Sequence, residues 1–338
     1  MSKNIGIDLG TANTLLYMKG RGIVLREPSV VAVERQTDRV RAVGRDAKLM
    51  LGKTPGSIAA YRPIKDGVIA DFEITAAMLR DFFKRVSAGN IFSRPYVAVC
   101  VPYGVTEVER RAFKDATLEA GARSVAMVTE PVAAAIGAGL RVTGARGCMV
   151  VDIGGGTTEV AVLSLGGIVR STSLRIAGDE LDESIMQYVK AKYGISIGET
   201  AAEMLKKSIG SVHWSTDEGA MEIQGLTQRT SMRSGLPAVL SISSGELREA
   251  MYDQIEHILK SICQTLESTP PELSADIYDY GIMLTGGGAL LRGLPQLITE
   301  RTGIRVTLAK RPLDCVALGL GKMIEMDNKA DNNLEYTN

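Results

Sequence analysis

Two aspartates at matched positions raise the first question of chemistry. Asp8 ends the apolar run of "IGIDLGTANT" (Ile5 to Thr14), and Asp152 ends that of "VVDIGGGTTEVAV" (Val150 to Val162). Set against each other, the stretches pair Asp8 with Asp152, Gly10 with Gly154, Asn13 with Thr157 and Thr14 with Thr158. In each, a turn of small and hydroxyl residues follows the carboxylate. A second apolar run then closes the unit (Leu15-Leu16-Tyr17 and Val160-Ala161-Val162). The pattern is a β-hairpin whose tip is made of backbone rather than side chains. Successive N–H groups in such a turn form an anion nest, and two tips facing across a cleft would clamp a polyphosphate from both sides. A carboxylate repels phosphate, so a divalent cation between them is the natural complement. Mg2+, which takes carboxylate oxygens and keeps several waters, fits that place. Either hairpin alone reads equally well as an ordinary glycine-rich turn; the matched pairing favours the clamp.

The elements that must hold these tips follow from the repeat. Two similar units far apart in the chain imply two related halves facing each other, because solenoid repeats are much shorter. A chain of 338 residues is long for one hydrophobic core and suits two domains. Pro131 favours a helix start beside Glu130 in "VTEPVAAAIGAGL", which fixes that acid at a helix entrance. Helices are expected over Ile74–Val86, after a Thr106/Glu109 capping box, and over "GETAAEMLKKSIG" (Gly198 to Gly210). The capping-box helix should turn Val108, Ala112, Phe113 and Ala116 toward a core or partner, and the third should bury Met204, Leu205 and Ile209. A long helix in "SSGELREAMYDQIEHILKSICQTLES" should bury Leu247, Met251, Ile255, Ile258, Leu259 and Ile262. "MLTGGGALLRGL" (Met283 to Leu294) reads as a buried strand, three glycines and a helix start. Ser211 to Leu236 reads as a hairpin lobe.

Bulk composition excludes several classes. Lys+Arg and Asp+Glu stand at 39 each, so no global field advertises nucleic acid. Cys100, Cys148, Cys263 and Cys315 are dispersed and form no Cys-x-x-Cys or Cys/His cluster. Zinc and redox chemistry are therefore not expected, and reduced thiols are. "MSKNIGID" has no secretory leader and no apolar run reaches membrane-spanning length, so a cytoplasmic protein is expected. "AKLMLGKT" (Ala47 to Thr54) has alanine where a P-loop needs its first glycine, and no dinucleotide fingerprint opens a helix. His213 and His257 suggest no catalysis.

The two tips and the later glycine triplet together resemble the actin and sugar-kinase ATPase superfamily. More closely, the chain resembles the MreB family of bacterial actin homologues, from Lys3 to about Met323. The resemblance is carried by "GTANT", "EPSVVAV", "RPIKDGVIADF", "VPYGVTEVERRA", "TEPVAAAIGAGL", "RIAGDELDE" and "TPPELSADI" in one order. It implies an α/β, actin-like (ribonuclease H-like) fold of two related domains, each with a smaller subdomain, and ATP with Mg2+ in the cleft between them. Domain I would comprise 1–145 plus 315–338, with a core of 1–32 and 66–145 and a small lobe of about 33–65. Domain II would comprise 146–314, with a core of 146–180 and 243–314 and a small lobe of about 181–242. The chain's last helix would return to domain I.

By the same resemblance Gly10, Thr11, Ala12, Asn13 and Thr14 meet the phosphates from one side, and Gly154, Gly155, Gly156 and Thr157 from the other. Asp8 and Asp152 hold Mg2+ largely through water. Glu130 orients the attacking water, assisted by Thr157, although from sequence alone its carboxylate could simply favour the helix dipole. Glu203, Lys206 and Lys207, which otherwise read as a solvated face, contact the adenosine with Gly286, Gly287, Gly288 and Ala289. The hairpin tips contain no lysine or arginine, which suits slow hydrolysis coupled to assembly.

The family's role would be a homopolymer of paired protofilaments, peripheral on the inner face of the cell membrane, directing cell-wall synthesis and rod shape. RodZ and wall-elongation proteins would be its partners; nucleic acid would not. "SAGNIFSRP" carries Ile91 and Phe92, a membrane-inserting tip by resemblance, or a loop folded back on the core. Lys84, Arg85 and Arg94 flank it and would add about 1 kcal/mol each at anionic headgroups. Other readings are a paralogue with a divergent role and a small-molecule kinase of the same superfamily. The kinase would need a second catalytic acid besides Glu130. A chaperone-type ATPase finds no room for a substrate domain in the polar tail "DNKADNNLEYTN".

Overall fold

The computed structural model describes residues 4–87, 94–216, 219–227 and 235–326. Strand Asn4–Leu9 is central in a five-stranded sheet, antiparallel to Asn13–Met18 and parallel to Tyr96–Val101. Gly22–Pro28 and Ser124–Thr129 form the edges. A second five-stranded sheet repeats this plan. Cys148–Ile153 is central, antiparallel to Thr158–Ser164 and parallel to Ile282–Thr285, with Gly167–Leu174 and Val306–Leu308 at the edges. Both expected hairpins are therefore present, and each holds the same place in its sheet. The central strands are buried on both faces, which is why Ile5, Ile7, Met149, Val150 and Val151 read as apolar runs rather than alternating ones.

Helices Glu130–Ala138 and Cys315–Met326 lie between the sheets, where Cys100, Val128, Val150, Ala161, Leu320 and Ile324 share one apolar cluster. The last helix thus returns to the first sheet, packing on Gly6, where a Cβ would press on Leu320. The outer face of the first sheet is covered by Phe72–Val86 and Glu107–Glu119 through Phe82 and Phe113. The outer face of the second is covered by Gly178–Tyr193 and Ser244–Glu267 through Ile185 and Met251. Among the described residues two three-stranded sheets, Val31–Glu34 with Val40–Val43 and Ile58–Tyr61, and Ala220–Thr227 with Ile195–Ser196 and Pro237–Ser243, and a two-stranded ribbon of Ile64–Lys65 with Val68–Ile69 complete the architecture.

Local signals explain the helix starts. Thr106 and Glu109 form the expected capping box. Asp71 caps Phe72–Val86 by accepting from the Ile74 amide at 3.1 Å. A second box, Ser243 with Glu246, opens the long helix, and all six residues expected to be buried along it are buried. Three details refine expectation or depart from it. Val108 is 79% exposed, which leaves of its two expected settings a partner rather than the core, and Met204 is 42% exposed, because only one narrow side of each amphipathic helix meets the sheet or its neighbours. The glycine triplet does not open an α-helix directly: Gly288–Leu290 is a 3-10 turn, and the α-helix begins at Leu294 after a left-handed Gly293.

All four cysteines are free thiols, three of them buried. Among the described residues no helix is long and apolar enough to cross a membrane. Ile91 and Phe92 lie outside the described residues. Of the flanking cations, Arg85 is engaged with Asp81 at 2.6 Å and with Glu27 at 3.3 Å, so it is less available to a headgroup than its sequence position suggested.

Candidate functional site

The two hairpin tips meet. A Cβ on Gly155 would lie 2.8 Å from the Ala12 side chain, and one on Gly156 would lie 2.8 Å from the Thr11 hydroxyl. Only residues without side chains let the tips approach this closely. The Thr11 hydroxyl also accepts from the Gly67 amide at 3.2 Å, and the Gly154 amide donates to the Thr157 carbonyl at 2.8 Å. Behind the second tip, the amides of Gly178 and Asp179 donate to the Gly154 and Gly155 carbonyls.

Above the tips opens a cavity of about 570 Å3. Asp8, Gly10, Thr11, Ala12 and Asn13 line it from the first sheet, with Glu130 from the interleaved helix. Asp152, Gly154, Gly155, Gly156 and Thr157 line it from the second sheet. Glu203, Lys206, Lys207, Gly286, Gly287 and Gly288 complete the far end. Thr14 and Ala289 do not reach it. Thr14 pairs with Leu9 across the hairpin, and its fully buried hydroxyl shares a hydrogen bond with Ser29. Ala289 is buried among apolar side chains on the outer side of the second sheet.

The carboxylates are crowded. Burial, then the Asp152 and Asp314 charges, raise the Asp8 pKa to about 8, and burial raises that of Asp152 to about 7. Two neighbouring acids without a compensating cation are costly, so their chemistry fits a divalent ion. Among the described residues no three acids, histidines or cysteines converge on one point, so most of such an ion's shell would come from water and ligand. Glu130 is pushed well above the ordinary carboxylate range by burial, then by the charges of Glu159, Asp8 and Asp152.

Glu159 did not stand out in the sequence. It is the cross-strand partner of Asp152, accepts from Ser173 at 2.6 Å and from the Tyr103 amide at 3.4 Å, and burial raises it to about 8. A smaller cleft of about 310 Å3 opens beside it, sharing Thr157 with the main cavity.

The far end is held by ion pairs. Lys206 pairs with the buried Asp182 at 2.8 Å and also donates to the Gly178 carbonyl. Glu203 is bound by Lys207 on its own helix and by Lys48 of the short helix Arg45–Lys48, 2.9 Å away. Burial pushes Glu203 up, but these bonds outweigh it and hold its pKa at about 2. Arg62 spans the same gap, pairing with Asp179 and Glu199 at 2.6 Å each. Arg26, Lys48, Arg62, Asp179, Asp182 and Arg292 were all passed over in the sequence. Their partners stand far along the chain, beyond the reach of any local pattern.

The geometry agrees with known proteins. The MreB/Mbl protein family model matches residues 2–332. The chain belongs to this family. Cell shape-determining protein MreB of Escherichia coli strain K12 is 53% identical over 331 residues, which cover 96% of this chain and 94% of that protein. The crystal structure of MreB 5 of Spiroplasma citri bound to AMPPNP superposes with a TM-score of 0.92 at 38% identity, covering 97% of this chain and 98% of that one. The MamK double helical filament shares the fold, with a TM-score of 0.80 at 22% identity over 96% of this chain and 99% of that one. The fold is therefore actin-like, as the resemblance implied, and the chain is an MreB/Mbl-type actin homologue of the cell shape-determining kind.

Proposed function

We propose that this protein binds ATP with Mg2+ in the cavity, hydrolyses it slowly, and assembles into membrane-associated filaments that direct cell-wall synthesis and rod shape. The observation that carries the reading is the interlocking of two side-chain-poor tips beneath Asp8, Asp152 and Glu130. Backbone amides at Gly10–Asn13 and Gly155–Thr157 would bind phosphate oxygens, the Gly154 amide closing the tip by donating to the Thr157 carbonyl. Asp8 and Asp152 would hold the waters around Mg2+, which when bound offsets phosphate charge. Glu130 and the Thr157 hydroxyl would orient a water at the γ-phosphate. The adenosine would lie toward Glu203, Lys206 and the Gly286–Gly288 turn, between the halves 1–145 with 315–338 and 146–314.

Assembly is supported by kinship with a cell shape-determining protein and by a fold shared with a filament. The membrane would be met through Ile91 and Phe92, each worth about 1.5–3 kcal/mol when buried. That is weak for one copy and firm for a polymer presenting many. RodZ-type and wall-elongation partners would then couple the polymer to synthesis.

Co-sedimentation with anionic liposomes and Mg-ATP, imaged by negative stain, tests this. Filaments on lipid are expected for the wild type, and filaments detached from lipid for the Ile91→Ala/Phe92→Ala double variant. No filaments with any nucleotide would overturn the cytoskeletal reading and return attention to a small-molecule kinase.

A further inference from the structure

Three adjacent strands place one row of side chains on the cavity wall. Asp8 is registered opposite Leu15, and Leu15 opposite Arg26. Residues opposite one another leave a sheet on the same face, and all three line the cavity. The bulge between the second and third strands falls later, at Leu16/Tyr17, and leaves this row intact. Two strand spacings put the Arg26 backbone about 10 Å from that of Asp8, and an arginine side chain covers most of such a gap.

Arg26 is also presented rather than buried away. Its Nη2 pairs with Asp314, whose side chain is 6% exposed while that of Arg26 is 45% exposed. The other Asp314 oxygen takes Nε of Arg311 at 2.8 Å and Nη2 at 2.6 Å. One carboxylate thus faces two guanidiniums, which leaves a net positive charge at this edge of the cavity. An arginine has five N–H donors, and this ion pair uses only one of its terminal nitrogens. The other basic side chains lining the cavity, among the described residues, are engaged at its far end. Lys206 is held by Asp182, Lys207 by Glu203, and Arg292 donates to the Gly210 carbonyl.

The geometry points to Arg26 as a ligand of the nucleotide's diphosphate, standing two strands from the metal-holding carboxylate and held in place by Asp314. This rests on the ATP-binding reading above. The planar fork of a guanidinium suits two phosphate oxygens at once, whereas an ammonium supplies a point charge. The hairpin tips lack a cation of their own, and the neighbouring strand supplies one.

The test measures Mg2+-dependent binding of ATP, ADP and adenosine to the full chain, with Arg26→Gln and Arg26→Lys beside the wild type. Losing a charge-assisted phosphate contact should weaken ATP and ADP about 10- to 100-fold in Arg26→Gln. Adenosine, displacing a fluorescent analogue, should bind the same variant as it binds wild type, which also shows that the fold is intact. Arg26→Lys should recover part of the loss. Unchanged ADP affinity, or an equal loss for ADP and adenosine, would overturn the assignment and leave Arg26 as a structural partner of Asp314. A wild-type chain that binds none of the three would instead overturn the ATP reading itself.

Discussion

The Glu159 carboxylate accepts hydrogen bonds from Ser173 and the Tyr103 amide, yet burial still raises its pKa from an ordinary 4.5 to about 8. The folded state therefore holds this proton where the unfolded chain releases it. Its contribution to stability is complete below about pH 4.5 and is lost as pH rises toward 8. Comparing wild type with Glu159→Gln by urea denaturation between about pH 5 and pH 8 isolates the term. The variant should gain on wild type as pH rises, by up to a few kcal/mol, and parallel curves would refute the assignment. Residues of this kind were hard to read in sequence. "GGGTTEVAV" shows a hairpin with one acid in it, but whether Glu159 meets water or protein depends on Tyr103 and Ser173, in other strands and turns. The tips were legible because backbone chemistry is local. Thr14 does not line the cavity because its hydroxyl turns to Ser29, a partner that follows the third strand.

At the scale of elements, the crossing of Glu130–Ala138 with Cys315–Met326 decides how the sheets are spaced. A Cβ on Gly137 would overlap the Cys315 carbonyl, and one on Gly319 would overlap the Ala133 carbonyl. Backbone cannot step aside as a flexible side chain can, so Gly137→Ala should cost about 3 kcal/mol. Thermal and denaturant unfolding would check this; a loss under about 0.5 kcal/mol would mean the helices can separate freely. A small-residue helix is legible in "EPVAAAIGAGL", and Pro131 and the left-handed Gly139 mark its ends. The sequence could not name the helix lying against it, which is the chain's last. The Thr106 capping box and the long helix's apolar stripe were legible for the same reason as the tips: their partners lie within a turn or two. Val108 and Met204 were not, because a periodic stripe reports a face and not how much of it is covered.

Across the whole molecule, two ionic bridges join the segments beside the first small sheet to helices Gly178–Tyr193 and Glu199–Ile209: Lys48 with Glu203, and Arg62 with Asp179 and Glu199. Arg62 is mostly buried and forks between two acids, so it should matter more than a surface pair. Arg62→Ala is expected to speed release of a fluorescent nucleotide about ten-fold, and raised salt should speed release from wild type while affecting the variant less. Equal rates would show that the bridges do not restrain the cleft.

What the sequence determined by itself was everything written in short range. Each hairpin unit, with its bare tip and its aspartate, and each helix cap lie within a few consecutive residues. What only the tertiary structure decided was who faces whom. It set Arg26 in line with Asp8, carried Lys48 and Arg62 across the cleft, and buried Glu159. Charges act through space, and a residue's distance from its partner along the chain says nothing about that space until the sheets are built.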